Sequence, residues 1–194
     1  MNKLSKPGPP VSARSIVALT GFMAAGKSTV GRVLASNLHW RFFDLDCEIE
    51  SRLQLRIHEL FATHGEPHFR QIEADVLRSV LEQASAPTII ALGGGTFIES
   101  QNADLLHSHG AHVVFLDLAV EELLRRCQTA SERSAQNPRP LAADAKAFCA
   151  LHAQRLPYYR KAELIINTRG KAAEQVVQEI VAALDLAAHE QNSW

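Results

Sequence analysis

Five short apolar stretches punctuate the chain: SIVALTG (15–21), RFFDLD (41–46), TIIALGG (88–94), HVVFLDL (112–118) and ELIINT (163–168). Most are continuous rather than alternating, the pattern of strands buried on both faces of a parallel sheet. Between them apolar positions recur at helical spacing. In KSTVGRVLASNLH (27–39), Val30, Val33, Leu34 and Leu38 fall on one face. RIHELFATHG (56–65) and HFRQIEADVLRSVLEQA (68–84) predict two further helices, the second with Ile72, Val76, Leu77 and Val80 inward. AVEELLRRCQ (119–128), DAKAFCALHAQRLPYYRKA (144–162) and AAEQVVQEIVAALDL (172–186) predict the others. Strand and helix alternate without an internal repeat, so the expected class is a layered α/β fold.

One segment departs from this rhythm. QTASERSAQNPRPLAAD (128–144) is polar and rich in Ser, Ala and Pro. It reads either as a solvated loop or as a mobile lid over a ligand. The ends, 1–14 and 187–194, read as a disordered leader and a flexible tail around a single domain at 15–186. Composition narrows the class further. The chain has 194 residues, 46% apolar and 21% charged, with a net charge of −1. No strong general affinity for nucleic acid or membrane is expected from that balance. Cys47, Cys127 and Cys149 are widely spaced and odd in number, so neither a disulfide framework nor a zinc site is expected. No apolar run reaches membrane-spanning length, and the N-terminal stretch lacks a signal peptide's apolar core. A cytoplasmic location is the expectation.

The most specific chemistry lies in GFMAAGKST (21–29), which fits G-x-x-x-x-G-K-[ST] with an apolar run before it and an amphipathic helix after it. Gly21 and Gly26 let the backbone wrap an anion, with successive N–H groups turned inward. Lys27 brings a point charge to the β- and γ-phosphates, Ser28 offers a hydroxyl to Mg²⁺, and the helix adds its N-terminal dipole. The nucleotide-binding set is thus Gly21, Ala24, Ala25, Gly26, Lys27, Ser28 and Thr29. The alternative, a glycine turn with an incidental lysine, fits the flanks poorly.

Three other segments carry candidate chemistry. FFDLDCEIE ends a strand with Asp44 and Asp46, which at period two project to the same side. They can hold Mg²⁺ and a substrate hydroxyl, or Asp46 can cap the helix that follows. Arg70 and Glu73 form an i,i+3 pair that can be no more than a surface contact, or can present Arg70 to a ligand. Gly93, Gly94 and Gly95 close the third strand. They either satisfy a loop that needs positive φ or bare the backbone N–H groups to a small polyol or carboxylate. Arg155 and Arg160 flank two tyrosines, and Arg139 stands between two prolines.

Taken in order, GFMAAGKST, FFDLDCEIE, FRQIE, LGGGT, RPL and RLPYYRKAELIINT resemble the shikimate kinase family, from about Ser15 to Leu186. The resemblance implies a three-layer α/β/α fold with a five-stranded parallel sheet of order 2-3-1-4-5, a phosphate-binding loop and a mobile lid. It implies transfer of the γ-phosphoryl group of ATP to the 3-hydroxyl of shikimate; a monomer is the default expectation. By the same resemblance Lys27, Asp46 and Arg139 are the catalytic residues, and Arg139 is also the lid arginine on the nucleotide phosphates. Ser28 and Asp44 serve Mg²⁺. Asp46, Arg70, Gly93, Gly94, Gly95 and Arg155 bind shikimate, with Phe69 and Glu73 shaping the pocket and Glu73 orienting Arg70. Asp117 reads as structural. Two other readings are a gluconate kinase-like enzyme, which would lack the triple glycine with paired arginines, and a ligand-sensing domain fused to a DNA-binding module, for which about 14 leading residues are too few.

Overall fold

The computed structural model describes residues 15–84, 87–133 and 144–186. The expected leader, the expected tail and Arg139 lie outside the described residues. Five parallel strands form one sheet in the order β2-β3-β1-β4-β5, as expected: β1 (Ile16–Thr20), β2 (Arg41–Asp44), β3 (Thr88–Ala91), β4 (Ala111–Asp117) and β5 (Leu164–Asn167). β1 is central, with Ile16 in register with Thr88 on one side and Ala111 on the other. Each of its residues is buried, as is every residue of β3, which accounts for their unbroken apolar runs.

Seven helices complete the described chain: α1 (Lys27–Leu38), α2 (Leu45–Leu53), α3 (Ile57–Gln83), α4 (Ser100–Ser108), α5 (Val120–Arg133), α6 (Ala145–Tyr159) and α7 (Ala173–Ala183). The chain moves from β1 to the far edge at β2, and every later crossover moves the other way. With right-handed crossovers, α1 then lies on one face and α3, α4, α5 and α6 on the other. α7 packs on α1. β1 and β3 are neighbours whose following connections leave in opposite directions. Their carboxyl ends form the topological switch point, where open α/β sheets hold ligands. The phosphate loop follows β1 and the triple glycine follows β3, so both face that crevice.

Several boundaries differ from expectation, each for a local reason. β2 ends at Asp44, not Asp46, and Asp46 lies in the first turn of α2. Asp44 is the residue that caps α2, accepting from the Cys47 N–H at 3.3 Å. The two carboxylates therefore do not sit at alternate strand positions. The two helices expected at 56–65 and 68–84 join into α3, with a break at Gly65 (φ 77°, ψ 173°) just ahead of Pro67. α5 continues to Arg133, so the first six residues of the stretch expected as lid, 128–133, are helical. α4, with a 3₁₀ turn at Thr96–Ile98 before it, was not expected. Its segment is mostly polar, and among its residues Asn102 and Leu106 alone are buried.

Candidate active site

The phosphate loop is held in shape by its own backbone. Ala25 N–H donates to Phe22 O at 3.2 Å, and Gly26 adopts a left-handed conformation (φ 97°) from which α1 departs. A β-carbon on Gly21 would come within 3.0 Å of Leu116 O, so the loop passes close against β4. Ala24 holds a positive φ of 61° without being glycine, whereas Ala25 does not. No side chain caps α1 and none in its first turn is acidic, which leaves its N-terminus favourable to an anion. Lys27 is the first residue of α1. Its Nζ donates to Gly21 O at 2.9 Å and Phe22 O at 3.1 Å, which brings the ammonium back over the loop. Ser28 is half-buried beside it and Thr29 is exposed.

Across the crevice, the glycine run serves close packing rather than positive φ. None of Gly93, Gly94 and Gly95 has a positive φ, and Gly95 is at −112°. A β-carbon on Gly93 would stand 2.8 Å from Glu73 Oε1, 2.9 Å from Asp46 Oδ1 and 2.9 Å from Thr96 Oγ1. One on Gly95 would stand 2.5 Å from both terminal nitrogens of Arg70. Gly94 is different: its β-carbon would find Arg155 Nη1 and Met23 N no nearer than 3.8 Å. Two glycines thus make room for Asp46, Glu73 and Arg70, and at the middle one a β-carbon would fit at ordinary contact distance between Arg155 and the phosphate loop.

Arg70 is more than one half of a surface pair. Its Nη1 donates to Glu73 at 2.7 Å and its Nη2 to Glu66 at 2.8 Å. The Glu73 side chain is 1% exposed, against 19% for Arg70. Glu73 also accepts from Thr96 Oγ1 at 2.6 Å, and Thr96 O accepts from Asn102 Nδ2 at 3.1 Å. A buried chain from α4 through the 3₁₀ turn to α3 thus fixes the Arg70 guanidinium from behind. Burial works against its charge, but Glu73 and Glu66 outweigh that and raise its pKa. Phe69 lies under it, with the guanidinium 5.2 Å from the ring centroid. Arg155, on α6, places its guanidinium 5.9 Å from the Phe22 ring centroid and donates from Nη1 to Gly94 O at 3.3 Å. Arg160 is exposed at the end of α6.

Asp46 stands between these groups. It is open to solvent by surface area, yet protein crowds it elsewhere. That desolvation is the largest cause of an upward shift in its pKa, to about 6. Lys27 opposes the shift, while Asp44, Glu73 and Glu50 add to it. Asp44 is half-buried at the end of β2. Asp117 acts through its backbone: its carbonyl accepts from the Thr168 N–H at 2.9 Å and hydroxyl at 3.1 Å. Sequence reasoning left three residues of this region without a role: Thr96, Asn102 and Tyr159. Thr96 and Tyr159 lie inside the LGGGT and RLPYYRKAELIINT segments but were given no role of their own, and Asn102 carries no recognisable pattern.

A phosphate loop facing a compact cluster of fixed charged groups at one switch point fits a P-loop kinase of small molecules. The family model described as shikimate kinase matches residues 23–185. Among curated proteins, the chain is 41% identical over 179 residues to a shikimate kinase of Geobacter metallireducens, covering 91% of this chain and 94% of that one. It is 40% identical over 169 residues to one of Rhodopseudomonas palustris, covering 87% and 80%. Among solved structures it is similar to the shikimate kinase of Acinetobacter baumannii in complex with shikimate, with a TM-score of 0.77, 32% identity and coverage of 88% and 92%. A gluconokinase from Sinorhizobium meliloti, at 16% identity and a TM-score of 0.59, shares the fold alone. The chain belongs to the shikimate kinase family.

Proposed function

We propose that this chain transfers the γ-phosphoryl group of ATP to the 3-hydroxyl of shikimate, giving ADP and shikimate 3-phosphate, a step of aromatic amino-acid biosynthesis. The observation that carries the reading is the juxtaposition at the switch point: Lys27 and the phosphate loop on one side, Asp46, Arg70, Arg155 and the bare Gly94 on the other. It is further supported by family membership and by the bound shikimate of the Acinetobacter baumannii relative.

In this reading the phosphate loop, from Gly21 through Ala24, Ala25 and Gly26 to Thr29, cradles the nucleotide phosphates, and Lys27 neutralises charge on the γ-phosphoryl group as it moves. Arg139 adds a second positive charge on the phosphates. Arg70 and Arg155 grip the shikimate carboxylate, Arg70 with its fork fixed by Glu73 and Glu66. The N–H groups of Gly93, Gly94 and Gly95 reach the same substrate. Asp46 accepts the hydrogen bond of the 3-hydroxyl. A proton affinity near neutrality suits it to align that oxygen and to take up the proton it loses. Ser28 and Asp44 offer the oxygen donors that Mg²⁺ prefers. Among the described residues no group of three or more His, Cys, Asp or Glu could hold a metal. An ion here would therefore take most of its ligands from nucleotide and water, which is the habit of Mg²⁺ in kinases. When bound, it supplies charge neutralisation on the phosphates. The enzyme would act as a cytoplasmic monomer.

The test is a coupled ADP-release assay with shikimate, quinate and gluconate in parallel. We expect shikimate to be preferred by about 100-fold or more in kcat/KM, because buried donors are left unpaired by the wrong acid. Comparable turnover of gluconate, or none with shikimate, would overturn the assignment.

A further inference from the structure

Two side chains of α6 converge on the carbonyl oxygen of Gly94. It accepts from Arg155 Nη1 at 3.3 Å and from the hydroxyl of Tyr159. A carbonyl oxygen has two lone pairs, so both are used. The two donors differ in their freedom. Tyr159 is fully buried, and its ring stacks on Phe115 of β4 with centroids 5.2 Å apart and planes at 25°. That ring is part of the core and has nowhere to go. Arg155 is half-buried and rests over Phe22, at the end of a long side chain that can pivot. It gives Gly94 O one of its five N–H donors, and a carboxylate that pulls the guanidinium toward itself would draw it off that oxygen.

We propose that Tyr159 is a positioning residue: it keeps the Gly94 carbonyl satisfied, so that Arg155 can turn from that oxygen to the substrate carboxylate without leaving a partly buried acceptor unpaired. This rests on the reading of Arg155 as a carboxylate-binding residue. Burial pushes the Tyr159 phenol up to about 12 against the opposing pull of Arg155, and it therefore remains a donor at any working pH.

Tyr159→Phe removes one oxygen and leaves the ring against Phe115, so the fold is retained; a thermal melt checks this. Shikimate and nucleotide affinities are then measured by calorimetry in the parent, Tyr159→Phe, Arg155→Ala and the double variant. Leaving an acceptor unsatisfied predicts that Tyr159→Phe weakens shikimate about tenfold while nucleotide affinity changes less than about twofold. In the Arg155→Ala background the same substitution should weaken shikimate less than about twofold, because no guanidinium has to leave the carbonyl. An unchanged shikimate affinity in Tyr159→Phe would overturn the inference. So would an equal loss with and without Arg155, or an equal loss for both ligands. If Arg155→Ala itself leaves shikimate affinity unchanged, the carboxylate reading of Arg155 fails, a result distinct from the failure of Tyr159 alone.

Discussion

Asp46 carries an electrostatic penalty that the fold maintains. Crowding by protein does most to raise its proton affinity, the neighbouring carboxylates add to the effect, and Lys27 offsets part of it, leaving a pKa of about 6 in place of 3.8. The folded protein thus holds this proton more tightly than the unfolded chain. By linkage the ionised group opposes folding fully above pH about 6, and the opposition is gone below 3.8. Asp46→Asn should therefore melt at a higher temperature than the parent at pH 8, with the gap closing as pH falls through 6 toward 4. A gap that is constant or reversed across that range in paired melts would contradict the account. The same substitution should lower kcat by about 100-fold or more, since general-base or aligning contributions are of that order, with nucleotide affinity retained. In the parent, kcat/KM for shikimate should fall as the pH drops below about 6, and a profile flat from 8 to 5 would remove Asp46 from the chemistry.

The loop after β3 shows how one element can answer two demands at once. Gly93 and Gly95 yield space to Asp46, Glu73 and Arg70, whereas a β-carbon on Gly94 meets nothing closer than 3.8 Å. Alanine scanning should separate them. Gly93→Ala and Gly95→Ala force carboxylate or guanidinium groups aside, and each should lower thermal stability and weaken shikimate by about tenfold or more, as overpacking commonly costs about 1–3 kcal/mol. Gly94→Ala should leave the melt nearly unchanged and yet weaken shikimate, because its methyl enters the space between Arg155 and Met23. Loss of stability in Gly94→Ala without loss of binding would reverse that assignment. What the sequence made legible follows the same division. The apolar runs of β1, β3 and β4 are visible because burial on both faces demands continuous apolar residues, and the phosphate loop because a tight turn around an anion demands glycine at fixed positions. α4 was invisible because its buried positions are few and include Asn102, whose amide serves the Thr96 carbonyl. The end of β2 was expected two residues late because FFDLD alternates like a strand, and local pattern cannot show that Asp44 already accepts the Cys47 N–H.

At the scale of the molecule, the site is assembled from two arms that reach the crevice from different directions. In the proposed reading the nucleotide arm is β1, its loop and α1, and the acid arm is α3, the loop after β3, and α6. No strand or helix belongs to both, so a lesion in one arm should spare binding at the other. Calorimetry should find that Arg155→Ala keeps nucleotide affinity within about twofold, and that Lys27→Met keeps shikimate affinity within a similar factor at pH 8, in line with the additivity of separated sites. The arms are joined electrostatically where the Lys27 ammonium lowers the pKa of Asp46 against the pull of desolvation. Removing that charge must therefore raise the Asp46 pKa further, in the direction set by burial and by Asp44, Glu73 and Glu50. Carbon NMR of labelled aspartate, with Asp46→Asn used to assign the signal, should place the Asp46 midpoint near 6 in the parent and higher in Lys27→Met. An unchanged midpoint would mean that the ammonium and the carboxylate do not sense one another. The phosphate donor and the acceptor hydroxyl would then be held by two independent sites, and Lys27 would act on the phosphates alone.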